Sequence, residues 1–301
     1  MDNQGTLRPQ KICWQMACSL GYVYITLRRF EEAERLFYQA LQACETHFGT
    51  HHHDTLHHLL CAGNCFLSQG KYQRAAQLFQ KAADTCAKVL NPGDPWALKS
   101  RLLLALSCTA MKRDNAMSLL QQVANDYKRF RGPESIETLD VLYTAGRIFL
   151  ARGNFQEAED MLQTAYASHI RVFGWENLKS VMLSFTLADL YWRQQRIQEA
   201  RHILEATLDH QSSILSSPSS YPAKPDLVAI FISARLLHVK GNMGEAKSAY
   251  QDFLTASHDA PSSLASFQHA ATEALQRIIR EAPCPPRLMT SPESELNSTG
   301  E

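Results

Sequence analysis

The sequence predicts an all-α protein: a row of about six helical hairpins closed by a C-terminal helix. Three observations carry that prediction. The 301-residue chain matches itself at an offset of 42 residues over most of its length, the signature of one supersecondary unit stacked again and again. Within each copy a small residue, a large one three positions later, and an Ala-x3-large-x2-small run keep spacings of three and four, which puts them on one helical face. No segment alternates apolar and polar residues as a half-buried strand does.

The copies follow in order. Copy one (10–51) carries Gly21, Tyr24, Phe30, Ala33, Phe37 and Ala40, and copy two (52–93) repeats each anchor 42 residues on, as Gly63, Phe66, Tyr72, Ala75, Phe79 and Ala82. Copy three (94–134) is degenerate, with Ala105, Cys108, Ala116, Leu120 and Val123, and is one residue short between its halves. Copies four (135–176) and five (177–222) restore the spacing with Gly146, Phe149, Phe155, Ala158, Leu162 and Ala165, then Ala188, Tyr191, Ile197, Ala200, Leu204 and Thr207. Copy six (223–260) follows a four-residue insertion with Ala234, Leu237, Met243, Ala246, Tyr250 and Phe253. Small side chains at 21, 63 and 146 let two helix axes approach, and the large residues fill the space beside them.

The connections have their own logic. Gly70, Gly153 and Gly241 mark the turn inside a hairpin, where positive φ costs glycine little; Arg28 and Gln195 hold the matching places in copies one and five. Gly49, Asn91, Gly132 and Gly174 fall where second helices end. Three residues later stand His52, Asp94, Ser135 and Asn177, of which the last three are preferred N-caps, and Pro95 suits a first helical position. Outside the array, 1–9 reads as a short N-terminal tail and 211–226 as a Ser/Pro-rich loop. Residues 261–281 read as a capping helix patterned by Leu264, Phe267, Ala271, Leu275 and Ile278, and 282–301 as a disordered tail. Ser291-Pro292 in that tail is a candidate phosphorylation site, although such dipeptides are commonplace in disordered tails.

Composition narrows the function. Thirty Lys and Arg balance thirty Asp and Glu, so the broad positive field that draws proteins to nucleic acid or anionic membrane is missing. No run of about 18 apolar residues is present. Eight cysteines without a CxxC pair read as free thiols in a reducing compartment, the cytoplasm or alternatively the nucleus.

The anchor residues and the linkers Gly49-Thr50-His51-His52-His53-Asp54-Thr55, Asn91-Pro92-Gly93-Asp94-Pro95-Trp96-Ala97 and Gly132-Pro133-Glu134-Ser135-Ile136-Glu137-Thr138 resemble the tetratricopeptide repeat. The likeness is to its 42-residue form, found in kinesin light chains and in the sensor arms of signalling ATPases, and covers about 10–255. The resemblance implies a right-handed α-α superhelix whose first helices line a concave groove. It also implies that Tyr22, Asn64, Lys99, Arg147, Asp189, Arg193 and Arg235 face that groove. The family's chaperone-tail binders use a Lys and Asn clamp, whereas the corresponding places here are Cys18, Tyr22 and Asn64, which argues against chaperone-tail binding. The heptad region of kinesin light chains and the phosphate loop of the ATPases are absent from the sequence.

Other features carry two explanations each. Six of the twelve histidines lie between His47 and His58, and His53 and His57 are four apart, a spacing at which two imidazoles share a divalent metal. A solvated linker explains the same residues. Cys61 and Cys65, and the repeat-equivalent Cys44 and Cys86, read as buried apolar filler. Lys128-Arg129-Phe130-Arg131 has the look of an RNA patch, but at a helix C-terminus its cations more simply face the negative end of the dipole. No nucleophile, phosphate or dinucleotide motif is found.

The expectation is a non-catalytic, cofactor-free adaptor that binds an acidic protein or peptide in its groove, with no nucleic acid or membrane partner. A metal- or pH-responsive regulator using His51–His58 is one alternative, and a detached sensor arm of a multi-chain signalling ATPase is another. Self-association stays open, because no obvious capping segment precedes Pro9.

Overall fold

A computed structural model describes residues 4–175, 177–215, 227–258 and 265–281. Among these residues there are thirteen α-helices and no strand. The chain forms two compact units, Met1–Gln194 and Gln195–Glu301.

The first unit contains four hairpins and one further helix. The hairpins are α1 (Gln4–Thr26) with α2 (Phe30–Phe48), α3 (His53–Ser68) with α4 (Tyr72–Val89), α5 (Pro95–Ala110) with α6 (Ala116–Arg131), and α7 (Ile136–Arg152) with α8 (Phe155–Phe173); α9 (Leu178–Arg193) follows. Consecutive helices pack on each other, and α1 also touches α3, α3 touches α5 and α7 touches α9. In these three cases the first helix of one hairpin touches the first helix of the next.

The repeat anchors form the core. Ala33, Phe37, Ala75, Phe79, Leu120, Ala158 and Leu162 are fully buried, and burial of each phenylalanine contributes about 1.5–3 kcal/mol. At Gly21 and Gly63 the phenylalanine opposite leaves no room for a side chain, whereas Ala105, Ala188 and Ala234 hold the small position in copies three, five and six. A Cβ on Gly21 would lie 2.5 Å from Phe37 Cζ, and one on Gly63 would lie 2.4 Å from Phe79 Cε1.

The hairpin turns adopt the left-handed conformation the sequence implies. Gly70, Gly153 and Gly241 have φ of 73°, 80° and 84°, and Arg28 and Gln195 take φ of 61° and 63° despite their side chains. Lys112 joins them at 56°, completing the pattern in the degenerate third copy.

Between hairpins, Gly49, Gly132 and Gly174 follow α2, α6 and α8 with positive φ, as expected. Asn91 does not play this part. The helix α4 stops a residue earlier, at an extended Leu90; Pro92 follows Asn91, and the residue before a proline is driven toward extended backbone. The three preferred N-caps, Asp94, Ser135 and Asn177, accept from backbone N–H groups, and His52 at the fourth such place also caps, accepting from Asp54 through Nδ1 at 3.2 Å. The Thr55 and Ser180 hydroxyls then donate to the Gly49 and Gly174 carbonyls at 2.8 and 2.7 Å, tying each new hairpin to the end of the last.

The second unit comprises α10 (Ile197–Leu215), α11 (Leu227–Val239), α12 (Met243–Ala256) and α13 (Ala265–Glu281). Its core is aromatic, with the Phe231 ring 5.3 Å from Phe253, 5.5 Å from Phe267 and 6.0 Å from Tyr250. The helix α13 packs on α12 and buries Phe267, Ala271 and Ile278, three of the residues that mark it as a cap.

Two boundaries move. Residues 211–215, assigned above to the Ser/Pro-rich loop, are the end of α10, because no proline occurs before Pro218 to break the helix. Residues 4–9, assigned to the tail, belong to α1. The remainder of the loop, 216–226, and the tail with Ser291-Pro292 lie outside the described residues.

Candidate functional site

The expected groove residues sit on first helices, but they differ in state. On α1 and α3, Tyr22 is 40 % exposed and its hydroxyl accepts from Asn64 Nδ2 at 3.4 Å. Lys99 and Arg147, on α5 and α7, are exposed. Each lies over an aromatic ring of its own helix: Lys99 Nζ is 5.9 Å from the Trp96 centroid and Arg147 Cζ 5.5 Å from that of Tyr143. Among the described residues neither makes an ion pair.

The remaining cations are committed elsewhere. Arg193 pairs with Asp189 one turn away at 2.9 Å, and Asp140 pairs with Lys179 at 2.7 Å. Arg235 is buried within the second unit and does not stand on an open surface as the sequence suggested. Of the expected groove cations, Lys99 and Arg147 are thus the two that are exposed and without an ion pair among the described residues. At the tip of the second hairpin, Lys71, Arg74 and Arg113 line a shallow depression with Tyr72 and Met111. Sequence reasoning missed this cluster, because the turns of the second and third hairpins come together there only through tertiary structure. The Lys128–Arg131 run ends α6, and Arg131 pairs with Glu137 at 3.1 Å.

The histidine-rich linker is divided by the fold. His52 is a helix cap, and His53 faces Trp96 edge-on at 6.1 Å. His57 is turned to a different partner from the expected His53: its Nε2 is 3.6 Å from Cys61 Sγ, one turn along α3. Cys61 also meets Cys18 of α1, with sulfurs 3.7 Å apart, and the Tyr22 hydroxyl at 3.5 Å. His58 Nδ1 lies 3.0 Å from Cys18 Sγ. Cys18, His58 and Cys61 are almost wholly buried.

These contacts set the protonation pattern. The hydrogen bond from Cys18, then those from His57 and Tyr22, hold the Cys61 thiol well below its usual range. The same contact with Cys61, together with burial, pushes Cys18 up. The hydrogen bond to Cys61 raises His57, whereas burial lowers His58. Cys61 Sγ thus lies within reach of three hydrogen-bonding groups, those of Cys18, His57 and Tyr22. Cys44, Cys65 and Cys86 are buried as expected of filler.

Stacked helical hairpins define a helical-repeat scaffold. Models of the tetratricopeptide repeat match residues 15–88, 96–171 and 143–213, more than half the chain, and the chain belongs to that family. Among solved structures it is similar to a Podospora anserina protein of nearly identical kinesin-light-chain TPR-like repeats, with 23% identity, a TM-score of 0.59, and coverage of 72% of this chain and 100% of the other. A Rap protein complexed with Competence and Sporulation Factor aligns over 89% of this chain and 76% of its own at 12% identity and a TM-score of 0.53. Aspartyl phosphate phosphatase F from Bacillus subtilis does so over 93% and 72% at 13% identity and a TM-score of 0.58. A clustered mitochondria protein homolog of Candida albicans is 24% identical over 156 residues, which is 52% of this chain but 11% of that relative's length. Tetratricopeptide repeats are generally protein-interaction scaffolds and generally non-catalytic. No described helix is long and apolar enough to cross a membrane.

Proposed function

We propose that this chain is a non-catalytic adaptor that holds an acidic segment of a protein partner on the inner face of its first unit. The observation that carries the proposal is the pair Lys99 and Arg147: two exposed cations on the inner helices α5 and α7, each over an aromatic ring and neither engaged by a carboxylate. Arginine reads carboxylates bidentately, and the neighbouring rings offer apolar contact to the stem of the same peptide. Tyr22 and Asn64 extend the face with hydrogen-bonding groups toward α1. A Rap protein of similar fold has been captured with Competence and Sporulation Factor bound, which supports a ligand-holding role for this architecture. The cysteine spacing supports action in the cytoplasm or nucleus.

The test is an array of acidic, neutral and basic 15-residue peptides, about the number that extends along several hairpins, probed with the wild-type chain and a Lys99→Glu/Arg147→Glu variant of equal helicity. Preference for acidic peptides, weakening with salt and falling roughly tenfold or more in the variant, is the expected result. Equal binding of all three classes, or an unchanged profile in the variant, overturns the proposal.

A further inference from the structure

We propose that Cys18, His57 and Cys61 bind one Zn²⁺ ion that staples the first hairpin to the second. Cys18 Sγ, His57 Nε2 and Cys61 Sγ lie within 4.8 Å of one another, and the spacings of Cys61 to Cys18 and to His57 fit a tetrahedral centre. Two Zn–S bonds of about 2.3 Å at the tetrahedral angle separate their sulfurs by about 3.8 Å; Cys18 and Cys61 are 3.7 Å apart. One such bond and a Zn–N bond of about 2.0–2.1 Å put sulfur and nitrogen about 3.5 Å apart; Cys61 and His57 are 3.6 Å apart. A disulfide needs sulfurs at about 2.05 Å, much closer than these stand.

The surroundings complete the site. Cys18 and Cys61 are 5% and 1% exposed, so the metal–thiolate bonds form away from competing water. His58, buried and 3.0 Å from Cys18 Sγ, is too close to that sulfur to share the metal with it. It serves instead as an outer hydrogen bond that orients the ligand. The Tyr22 hydroxyl, 3.5 Å from Cys61 Sγ, borders the fourth corner, which this oxygen or a solvent molecule fills. Binding releases the thiol protons, as thiolate ligation requires. Because Cys18 is on α1 and the other two ligands are on α3, the ion bridges two repeats that otherwise meet through apolar packing and a few hydrogen bonds, such as that from Thr55 to the Gly49 carbonyl. This site adjoins the proposed peptide-binding face, since the Tyr22 hydroxyl belongs to both and His57 meets edge-on, at 5.5 Å, the Trp96 ring over which Lys99 lies. Its test reads metal content and stability, so its failure is distinguishable from failure of peptide binding.

The experiment uses the full-length chain purified under reducing conditions. Zinc content is measured after gel filtration, Co²⁺ is titrated into chelator-treated protein, and thermal unfolding is followed with and without Zn²⁺. One equivalent of tightly held zinc, a Co²⁺ spectrum with thiolate charge transfer and tetrahedral bands, and a zinc-dependent rise in Tm of several degrees are expected. Cys18→Ser and Cys61→Ser should abolish all three, and His58→Gln should weaken affinity about 10–100-fold. A Cys65→Ser variant and a His51→Ala/His52→Ala/His53→Ala variant should keep them. If the serine variants fail to fold, the chelator-sensitive Tm of the wild type still decides. No Tm response, a Co²⁺ spectrum without thiolate bands, loss of binding in the triple histidine variant, or a Cys18–Cys61 crosslink that forms in air and excludes the metal each overturns the proposal.

Discussion

Replacing Gly63 by alanine tests the close approach that defines the second hairpin. The added Cβ would stand 2.4, 2.8 and 2.9 Å from Phe79 Cε1, Cζ and Cδ1, where carbon atoms normally rest about 3.5–4.0 Å apart. The Phe79 ring is fully buried, so relief requires α3 and α4 to part by about an ångström or the ring to leave its rotamer. Overpacking of this kind costs about 1–3 kcal/mol, while the change from glycine to alanine inside a helix returns about 1 kcal/mol. The net loss, up to about 2 kcal/mol, should lower the apparent Tm by about 2–8 °C for a unit of this size, read by circular dichroism. The protein itself suggests the rescue. Copy three has Ala105 facing Leu120 at these positions, and both are fully buried without glycine. Phe79→Leu should therefore cost less in the Gly63→Ala background than in the wild type, a positive coupling in a double-mutant cycle. A Gly63→Ala variant more stable than the wild type, or no coupling with Phe79→Leu, would refute the argument that glycine is there to admit the ring.

Two further outcomes follow from the turns and the buried histidines. Lys112→Gly relieves a left-handed residue at φ 56°; that conformation costs a side chain about 1–2 kcal/mol and glycine's added chain entropy takes back about 0.5–1 kcal/mol, so thermal unfolding should show a gain of up to about 1 kcal/mol. His169 is buried with Nδ1 2.9 Å from Ser180 Oγ, and burial, then Lys179, hold its pKa below the ordinary value of 6.5, with Asp140 acting in the opposite sense. The unfolded chain binds this proton first, so the stability contributed by neutral His169 is complete above about pH 6.5 and is lost as pH falls toward the folded-state value; the Tm difference between wild type and His169→Gln should shrink between pH 7.5 and 5.5, and a difference constant with pH would contradict the assignment.

Much of the architecture is legible because its causes are local. Spacings of three and four residues depend only on the helix period, so the anchors from Gly21 to Phe253 mark each hairpin without knowledge of any neighbour. Caps and turns are local too: Asp94, Ser135 and Asn177 act within their own first turns, and Arg28 and Gln195 are left-handed because the repeat fixes the turn length there. Lys112 escaped notice because its copy is one residue short between its halves, and Asn91 was misplaced because the proline after it outweighs the repeat position.

Which side chains meet across hairpins, and which surfaces stay open, was decided by tertiary structure. Cys18 and Cys61 are 43 residues apart, one off the repeat, and a purely periodic reading assigns them to packing. Only the contact of α1 with α3 brings their sulfurs together beside His57, whose alternative partner four residues back looked equally available in the sequence. Likewise the sequence supplied a string of cations on first helices, but burial took Arg235 and Asp189 took Arg193, leaving Lys99 and Arg147 exposed. Periodicity determines which face a residue occupies; the lateral and rotational setting of one hairpin on the next determines what that face touches.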